Sequence, residues 1–255
     1  MRKGTHPFFF FLLIIPYGLS GGYVIGPALG FIARENGLAV SDIGAIIAAT
    51  FFPHTIKIFW APVVDTILDR RKWYLIGLVL TVAGSAVSTA IPVNATSMQT
   101  LIWVLMLGQI GPTVVNMACE KAMAEGLPEA EKGRASGWYW AGNYIGAGLG
   151  AWAALFLYRR LPAPWMTGVA IALAMLTFGM TIFFLPKPEA PLRERVLPKV
   201  VAVLRDLRSM AFSRSGLTGI IICLLPAGAC AITNHWGTLA SDWNASEDLV
   251  AWTTG

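Results

Sequence analysis

The feature that most constrains this chain is the recurrence of long apolar runs. Seven stretches, roughly 7–32, 43–64, 73–92, 99–120, 135–158, 164–186 and 216–240, are nearly free of charge. A helix of about 20 apolar residues crosses about 30 Å of hydrocarbon, so each run is long enough for one span. Of 255 residues, 56% are hydrophobic and only 13% charged. Soluble domains carry about 25% charged residues, so too little polar surface exists here to cover a water-soluble globule. Alternating ten-residue segments of the β-barrel kind are absent from the sequence. The expected fold class is an all-α membrane protein.

The same composition excludes a disordered chain. Three cysteines, Cys119, Cys223 and Cys230, are too few for a disulfide scaffold and all lie in apolar runs. They read as small buried side chains. None of them has metal-ligand spacing, and the chain has no Walker loop, H-E-x-x-H or G-x-S-x-G pattern. No cofactor and no metal are expected. Met1-Arg2-Lys3 followed by apolar residues from Phe8 resembles a signal peptide, but no A-x-A cleavage site follows, so the segment reads as an uncleaved first span.

A net charge of +5 would suggest nucleic acid in a soluble protein; here its distribution gives sidedness instead, and no nucleic-acid partner is expected. Lys and Arg accumulate in alternate connections: Arg2 and Lys3, then Arg70, Arg71 and Lys72, then Lys121, Lys132 and Arg134, then seven in 187–215. The other side holds only Arg34, Arg159 and Arg160. The positive-inside rule then puts the N-terminus in the cytoplasm, in a multi-pass protein of the cell inner (cytoplasmic) membrane.

The connections 33–42, 65–72, 93–98, 121–134 and 159–163 are short, and 187–215 alone is long. Six spans, a basic cytoplasmic linker and a seventh span describe half of a larger design. Transporters of two six-span halves join them by such a linker, and each half holds a pair of inverted three-helix repeats. The expected organisation is therefore 1–186 as the six-span N-terminal half, 187–215 as the linker and 216–255 as the first span of an incomplete C-terminal half. Residues 241–255, with Asp242, Glu247 and Asp248, read as an extracytoplasmic loop. A complete seven-span protein is the alternative.

The one cation left over, Lys57, sits inside the second span. An ammonium at mid-membrane costs about 2.5–3.5 kcal/mol on insertion scales, so it should face the bundle interior with a partner. His54, three residues earlier, shares its helical face. Two readings stand: substrate-anion binding or proton coupling, against snorkelling or a structural pair with a carboxylate. Pro53 and Pro62 bracket the turn and favour a bend around a cavity. Asp65 and the run Asp69-Arg70-Arg71-Lys72 end the same span, either as a latch between helix ends or as an ordinary basic loop. Asn116 and Glu120 share a face, with Gln109 two turns earlier; Glu120 is either a proton carrier facing a central cavity or solvated at the interface.

Gly142, Gly146 and Gly150 recur every four residues and predict close helix packing in the fifth span. Trp138, Tyr139, Trp140, Asn143 and Tyr144 cluster at its start, as an interfacial aromatic belt or as a platform for a sugar or ring. Tyr17, Ser20, Gly21, Gly22 and Tyr23 lie in a Gly-rich stretch between Pro16 and Pro27, where helix regularity should break, as it does in transporter binding sites. In the seventh span, Asn234, His235 and Trp236 are polar in an apolar run. His235 either titrates near neutral pH or bonds a backbone carbonyl.

The stretch Ile56-Lys57-Ile58-Phe59-Trp60-Ala61-Pro62-Val63-Val64-Asp65 resembles a signature of the major facilitator superfamily, in particular of AmpG-type muropeptide permeases and related acetyl-CoA transporters. Gly37-Leu38-Ala39-Val40-Ser41-Asp42-Ile43-Gly44 matches that family's entry to the same span. Asp65 with Arg70, Arg71 and Lys72 is similar to the superfamily's cytoplasmic gating motif, with Ala61 in place of its leading Gly and Thr66 in place of a basic residue. Leu127-Pro128-Glu129-Ala130-Glu131-Lys132-Gly133 resembles the loop after the fourth span. The chain departs from the AmpG type at Val115-Asn116, where that family tends to carry Gln-Asp, and at Asn143-Tyr144, where it carries Tyr-Arg; Glu120 stands where it has a further Asp. Gly137, Gly146 and Gly150 resemble part of an antiporter motif, with Ala151 in place of its Pro.

The resemblance implies import across the cytoplasmic membrane driven by the proton gradient. The expected function is a secondary active transporter, not an enzyme, moving a small organic solute by alternating access. Its candidate substrate and proton pathway is Lys57, His54, Tyr23, Asn116, Glu120, Asn143 and Tyr144, with Asp65, Arg70 and Arg71 as gating residues. Its partners are the small-molecule substrate, the lipid bilayer and the proton gradient; the sequence carries no signal for an oligomeric state. The rivals are a membrane-embedded transferase and a seven-span receptor or scaffold.

Overall fold

The computed structural model describes residues 6–186, 196–224 and 235–254. Among these residues the chain is helix and connection, with no strand. Six helical rods follow one another. The first joins α1 (Phe9–Ser20) through a π-turn (Gly21–Ile25) to α2 (Pro27–Glu35). The second is α3 (Val40–Thr66) and the third α4 (Arg70–Ala90). The fourth joins α5 (Met98–Gly108) to α6 (Ile110–Gly126). The fifth is α7 (Glu129–Arg160), and the sixth runs from α8 (Pro164–Gly179) into a 3-10 turn (Met180–Phe184).

Four rods, Phe9–Glu35, Arg70–Ala90, Met98–Gly126 and Pro164–Phe184, are long and apolar enough to cross a membrane by length and composition. Of the seven spans expected, α3 and α7 are of sufficient length, at 27 and 32 residues. The apolar character of α7 is diluted by Gly, Trp and Tyr.

The break expected between Pro16 and Pro27 is a π-turn. The Gly26 N–H reaches back five residues to the Gly21 carbonyl at 2.8 Å. Gly26 is then extended, and Pro27 restarts the helix at its first position, where its missing N–H costs nothing. Next to this break, α1 and α7 touch backbone to backbone. A Cβ at Gly142 would lie 2.2 Å from the Phe11 carbonyl oxygen, and one at Gly150 2.4 Å from that of Leu19. From the other side, a Cβ on Gly18 would meet the Asn143 carbonyl at 2.4 Å. The four-residue glycine spacing is thus a packing device, as expected.

The buried Tyr74 of α4 donates its hydroxyl to the Leu13 carbonyl at 2.7 Å, which ties the third rod to the first. Cys119 is fully buried against the same carbonyl, in line with its reading as a small apolar side chain. The Cys223 side chain and Cys230 lie outside the described residues.

Two expectations about connections need correction. Residues 121–134 are helix except for Leu127 and Pro128, because α6 and α7 continue past their apolar stretches. Ala122–Ala124 and Glu129–Glu131 are good helix formers, and Lys132 pairs with Glu129 at 2.7 Å one turn away. The long linker is likewise helical from Val196: α9 (Val196–Ala211) is amphipathic and packs on α3, and α10 (Arg214–Leu224) follows. Of the seventh stretch, 225–234, including Asn234, lie outside the described residues. Beyond them, Trp236–Leu239 packs on α2 and Glu247–Thr254 on α7.

Gly142→Val should fail to give a monodisperse folded protein, or lower its melting temperature steeply, because overpacking against backbone costs about 1–3 kcal/mol or more. Gly137 has nothing within 4 Å of an added Cβ. Gly137→Ala should melt at the same temperature or higher, since Ala is favoured over Gly in a helix by about 0.8–1.0 kcal/mol. Thermal size-exclusion of the two variants side by side checks this.

Candidate functional site

Polar side chains from rods one, two, four and five meet on one side of the bundle. Lys57 of α3 stands nine residues before the end of its helix, about 14 Å along the axis. It donates its ammonium to the Asn116 Oδ1 of α6 at 3.1 Å. Asn116 in turn donates its amide N–H to the Tyr139 hydroxyl of α7. One turn away on α3, the His54 Nε2 stands 3.2 Å from the Gln109 Oε1. Gln109, at the joint between α5 and α6, donates its amide to the Ser20 hydroxyl of α1 at 3.4 Å. The Tyr17 ring presents its edge to His54, with centroids 6.0 Å apart.

Gln109, Asn116 and Tyr139 are nearly inaccessible to water, while Lys57 and His54 are half-buried. The described partner of the ammonium is an amide oxygen, so the positive charge is oriented but not neutralised by it. A neutral acceptor leaves the cation able to attract an anion, which a paired carboxylate would prevent. Glu120, one turn beyond Asn116, is exposed and within electrostatic reach of Tyr17 and Tyr139. Among the described residues no group of three His, Cys, Asp or Glu is placed to hold a metal.

Of the residues singled out in the sequence, Lys57, His54 and Asn116 come together here, with Glu120 beside them. Asn143 is half-buried one turn from Tyr139, and its carbonyl backs onto Gly18. Tyr144 is 70% exposed and stacks on Trp140, whose ring in turn meets that of Tyr139. Tyr23 is buried elsewhere, its hydroxyl meeting the Ser88 side chain of α4. Of the other members, Tyr17 and Ser20 lie in the Gly-rich break of the first span and Gln109 two turns before Asn116, but nothing in the sequence shows that they meet. Tyr139 was expected in an aromatic belt or a stacking platform. It is instead buried, because α7 begins six residues before its apolar stretch and carries Tyr139 three turns inside the helix.

At the end of the bundle holding the 67–69 and 127–128 connections, Asp69 caps α4. Its carboxylate accepts the backbone N–H of Arg71 and of Lys72, each at 3.0 Å, and pairs with the Lys72 ammonium at 3.2 Å. Arg70 is buried against Gly126, with its guanidinium 3.8 Å from the Glu125 carboxylate. Arg71 donates to the carbonyls of Ile182, Phe183 and Leu185 and lies 5.2 Å over the Phe183 ring, closing the end of the sixth rod. Lys121 donates to the Val64 carbonyl at 3.1 Å, one residue before Asp65. The Asp65 side chain lies outside the described set. At the opposite end, Arg34 pairs with Asp242 at 3.3 Å and Arg159 with Glu35.

Long apolar rods around a cluster that holds a cation in the interior define a multi-pass membrane protein. The chain belongs to the Major Facilitator Superfamily, whose family model matches residues 10–252. Among solved structures, the chain has the fold of a crystal structure of a D-xylose-proton symporter, with a TM-score of 0.65 and 16% identity. The match covers 98% of this chain and 65% of that one, so the chain spans less than two thirds of that neighbour's length. No curated protein matches it.

Burial raises the Asp69 pKa, but the backbone N–H and ammonium of Lys72 and the backbone N–H of Arg71 outweigh it, holding the carboxyl below its ordinary range. The cap therefore stabilises the fold at pH above the unfolded value, near 4, and the contribution is lost as pH falls through the lower folded value. Asp69→Ala should cost about 0.5–2 kcal/mol at neutral pH. The gap to wild type should close in acid, read from melting curves at both pH values.

Proposed function

We propose that this chain supplies one half, and the start of the second, of a proton-coupled secondary transporter that carries a small organic anion. The observation that carries the reading is the Lys57 ammonium, held inside the bundle by the Asn116 amide. Such a cation is costly in hydrocarbon and is found where it serves a substrate or ion path. Its neutral partner favours an anion as the species it meets. In this reading His54 and Glu120, within reach of the same space, serve the coupled proton. Superfamily membership, the proton symporter of like fold and the Lys57–Asp65 signature support this over a transferase or a receptor. The signature also favours an AmpG-type permease as the nearest kind.

In this reading residues 1–186 form the six-span half, 187–215 the cytoplasmic linker and 216–255 the start of the partner half. The rod pairings agree with inverted repeats. Exchanging rods one to three for rods four to six turns the first–fifth pairing into the fourth–second, and the first–sixth into the fourth–third; all four occur. The basic end faces the cytoplasm of an inner membrane by the positive-inside rule. Alternating access then opens that end while 235–254 closes the other, through Arg34–Asp242 and the seating of Thr238 on Gly30. Arg70 and Arg71 brace rods within this half, and Asp65 is the gating residue that would reach across.

Uptake of radiolabelled muropeptide fragments, sugar acids and acyl-CoA compounds into proteoliposomes, with and without an inward proton gradient, tests the proposal. Gradient-driven uptake of at least one anion is expected. Lys57→Gln should reduce it by about a hundredfold, with Lys57→Arg retaining part, while a merely structural lysine would leave uptake in the folded Gln variant unchanged. Equal transport of neutral and anionic solutes by wild type would remove the anion assignment.

A further inference from the structure

Two basic side chains of α3 are held in the same way. The Lys57 ammonium donates to the Asn116 amide oxygen, and the Asn116 amide N–H goes to the Tyr139 hydroxyl. One turn earlier, the His54 Nε2 meets the Gln109 amide oxygen at 3.2 Å, and the Gln109 amide N–H goes to the Ser20 hydroxyl. Each basic side chain thus faces an amide oxygen whose own nitrogen is anchored on a hydroxyl, and all four anchoring residues are buried. An amide with its N–H committed cannot turn over without losing that bond, so its oxygen stays toward the basic group. This fixes the tautomer of His54. Nε2 carries the hydrogen, while Nδ1 keeps its lone pair and has no hydrogen-bond partner among the described residues.

Lys57 is charged already, and His54 becomes so by taking a proton on Nδ1. The groups that face His54 are Tyr17 of α1, Phe51 and Lys57 of its own helix, and Gln109 of the fourth rod. Of these only Lys57 is charged. Glu120 stands eleven residues beyond Gln109 on the same rod, about 16 Å along its axis. A second positive charge one turn from Lys57 is repelled by it unless an anion lies close to both. The two amides are seven residues apart, about 10 Å along their rod, so the basic groups are spread rather than aimed at one point. A compact anion meets one of them. An extended solute with an acidic group at each end meets both. Lys57 and His54 are only half-buried, so both stay open to such a solute.

We infer, resting on the reading of the Lys57 cluster as the transport site, that the solute is an extended diacid whose carboxylates are held by the Lys57 ammonium and the His54 imidazolium. The second carboxylate brings the coupled proton with it. That proton leaves water on the side where the diacid enters and binds Nδ1. In the loaded site it is shared between that nitrogen and the carboxylate, and it returns to water on the side where the diacid leaves. A solute with one acidic group leaves His54 neutral and carries no proton.

Suberate and its monomethyl ester are titrated by calorimetry against the protein in phosphatidylcholine nanodiscs near neutral pH. Each titration is run in phosphate and in Tris, whose different heats of ionisation count the protons taken up. Suberate should bind about tenfold more tightly than the ester and take up about one proton per site, the ester none. Succinate, too short to reach both basic groups, should bind like the ester. His54→Gln keeps an N–H for Gln109; in it the preference for suberate and the proton uptake should both vanish. Lys57→Gln should weaken suberate and ester alike. Suberate binding no tighter than the ester, or proton uptake that survives His54→Gln, overturns the diacid assignment, and so does failure of wild type to bind suberate. Lys57-dependent uptake of other anions into proteoliposomes would then still stand; its loss as well would remove the reading beneath.

Discussion

The rest of the bundle depends on how closely α1 and α7 approach. In lipid there is no hydrophobic force to press helices together, so association relies on packing and on interhelical hydrogen bonds. Glycines at 18, 142, 146 and 150 let the two backbones meet without intervening side chains. That contact sets the lateral position of Tyr139 against Asn116, and of Tyr17 and Ser20 against His54 and Gln109. Only with rods one and five held so close can a short side chain such as Asn116 connect Lys57 on one flank to Tyr139 on the other. The polar cluster is therefore a consequence of the glycine seam as much as of its own residues.

The cluster and the connection ends divide the electrostatics of the six rods between them. Inside, a cation is oriented by neutral amides and hydroxyls, and its charge is kept available. At the basic end, by contrast, Asp69, Glu125 and the carbonyls of the sixth rod engage Lys72, Arg70 and Arg71 closely. Those cations fasten helix ends to one another. Sequence position made Arg70 and Arg71 look like members of one gate with Asp65, yet their described partners belong to the fourth and sixth rods.

What the sequence disclosed follows from what hydrocarbon demands of a chain. Apolar length located the first six rods, and the misfit of Lys57 pointed to the polar cluster that it joins, because both are expensive to violate. Helix ends were less visible. The hydropathy of a segment says where lipid is, while helix length is set by propensity and local pairs, so α6 and α7 run on past their apolar stretches and Tyr139 was placed too near a boundary. Pairing across rods was not legible at all: Tyr17 and Tyr23 sit six residues apart in equally apolar surroundings, yet Tyr17 meets His54 and Tyr23 is buried elsewhere in the bundle. The amphipathic α9 was hidden by its charges, which read as a loop.

The π-turn has a mechanical corollary. It divides the first rod into a lower segment clamped along α7 and an upper segment, α2, that carries Gly30 and Arg34 against 235–254. Gly26, extended and followed by proline, interrupts the ladder of backbone bonds that would otherwise make the rod rigid from end to end. Load applied at Arg34 therefore meets a break in the backbone ladder before it reaches Tyr17 and Ser20.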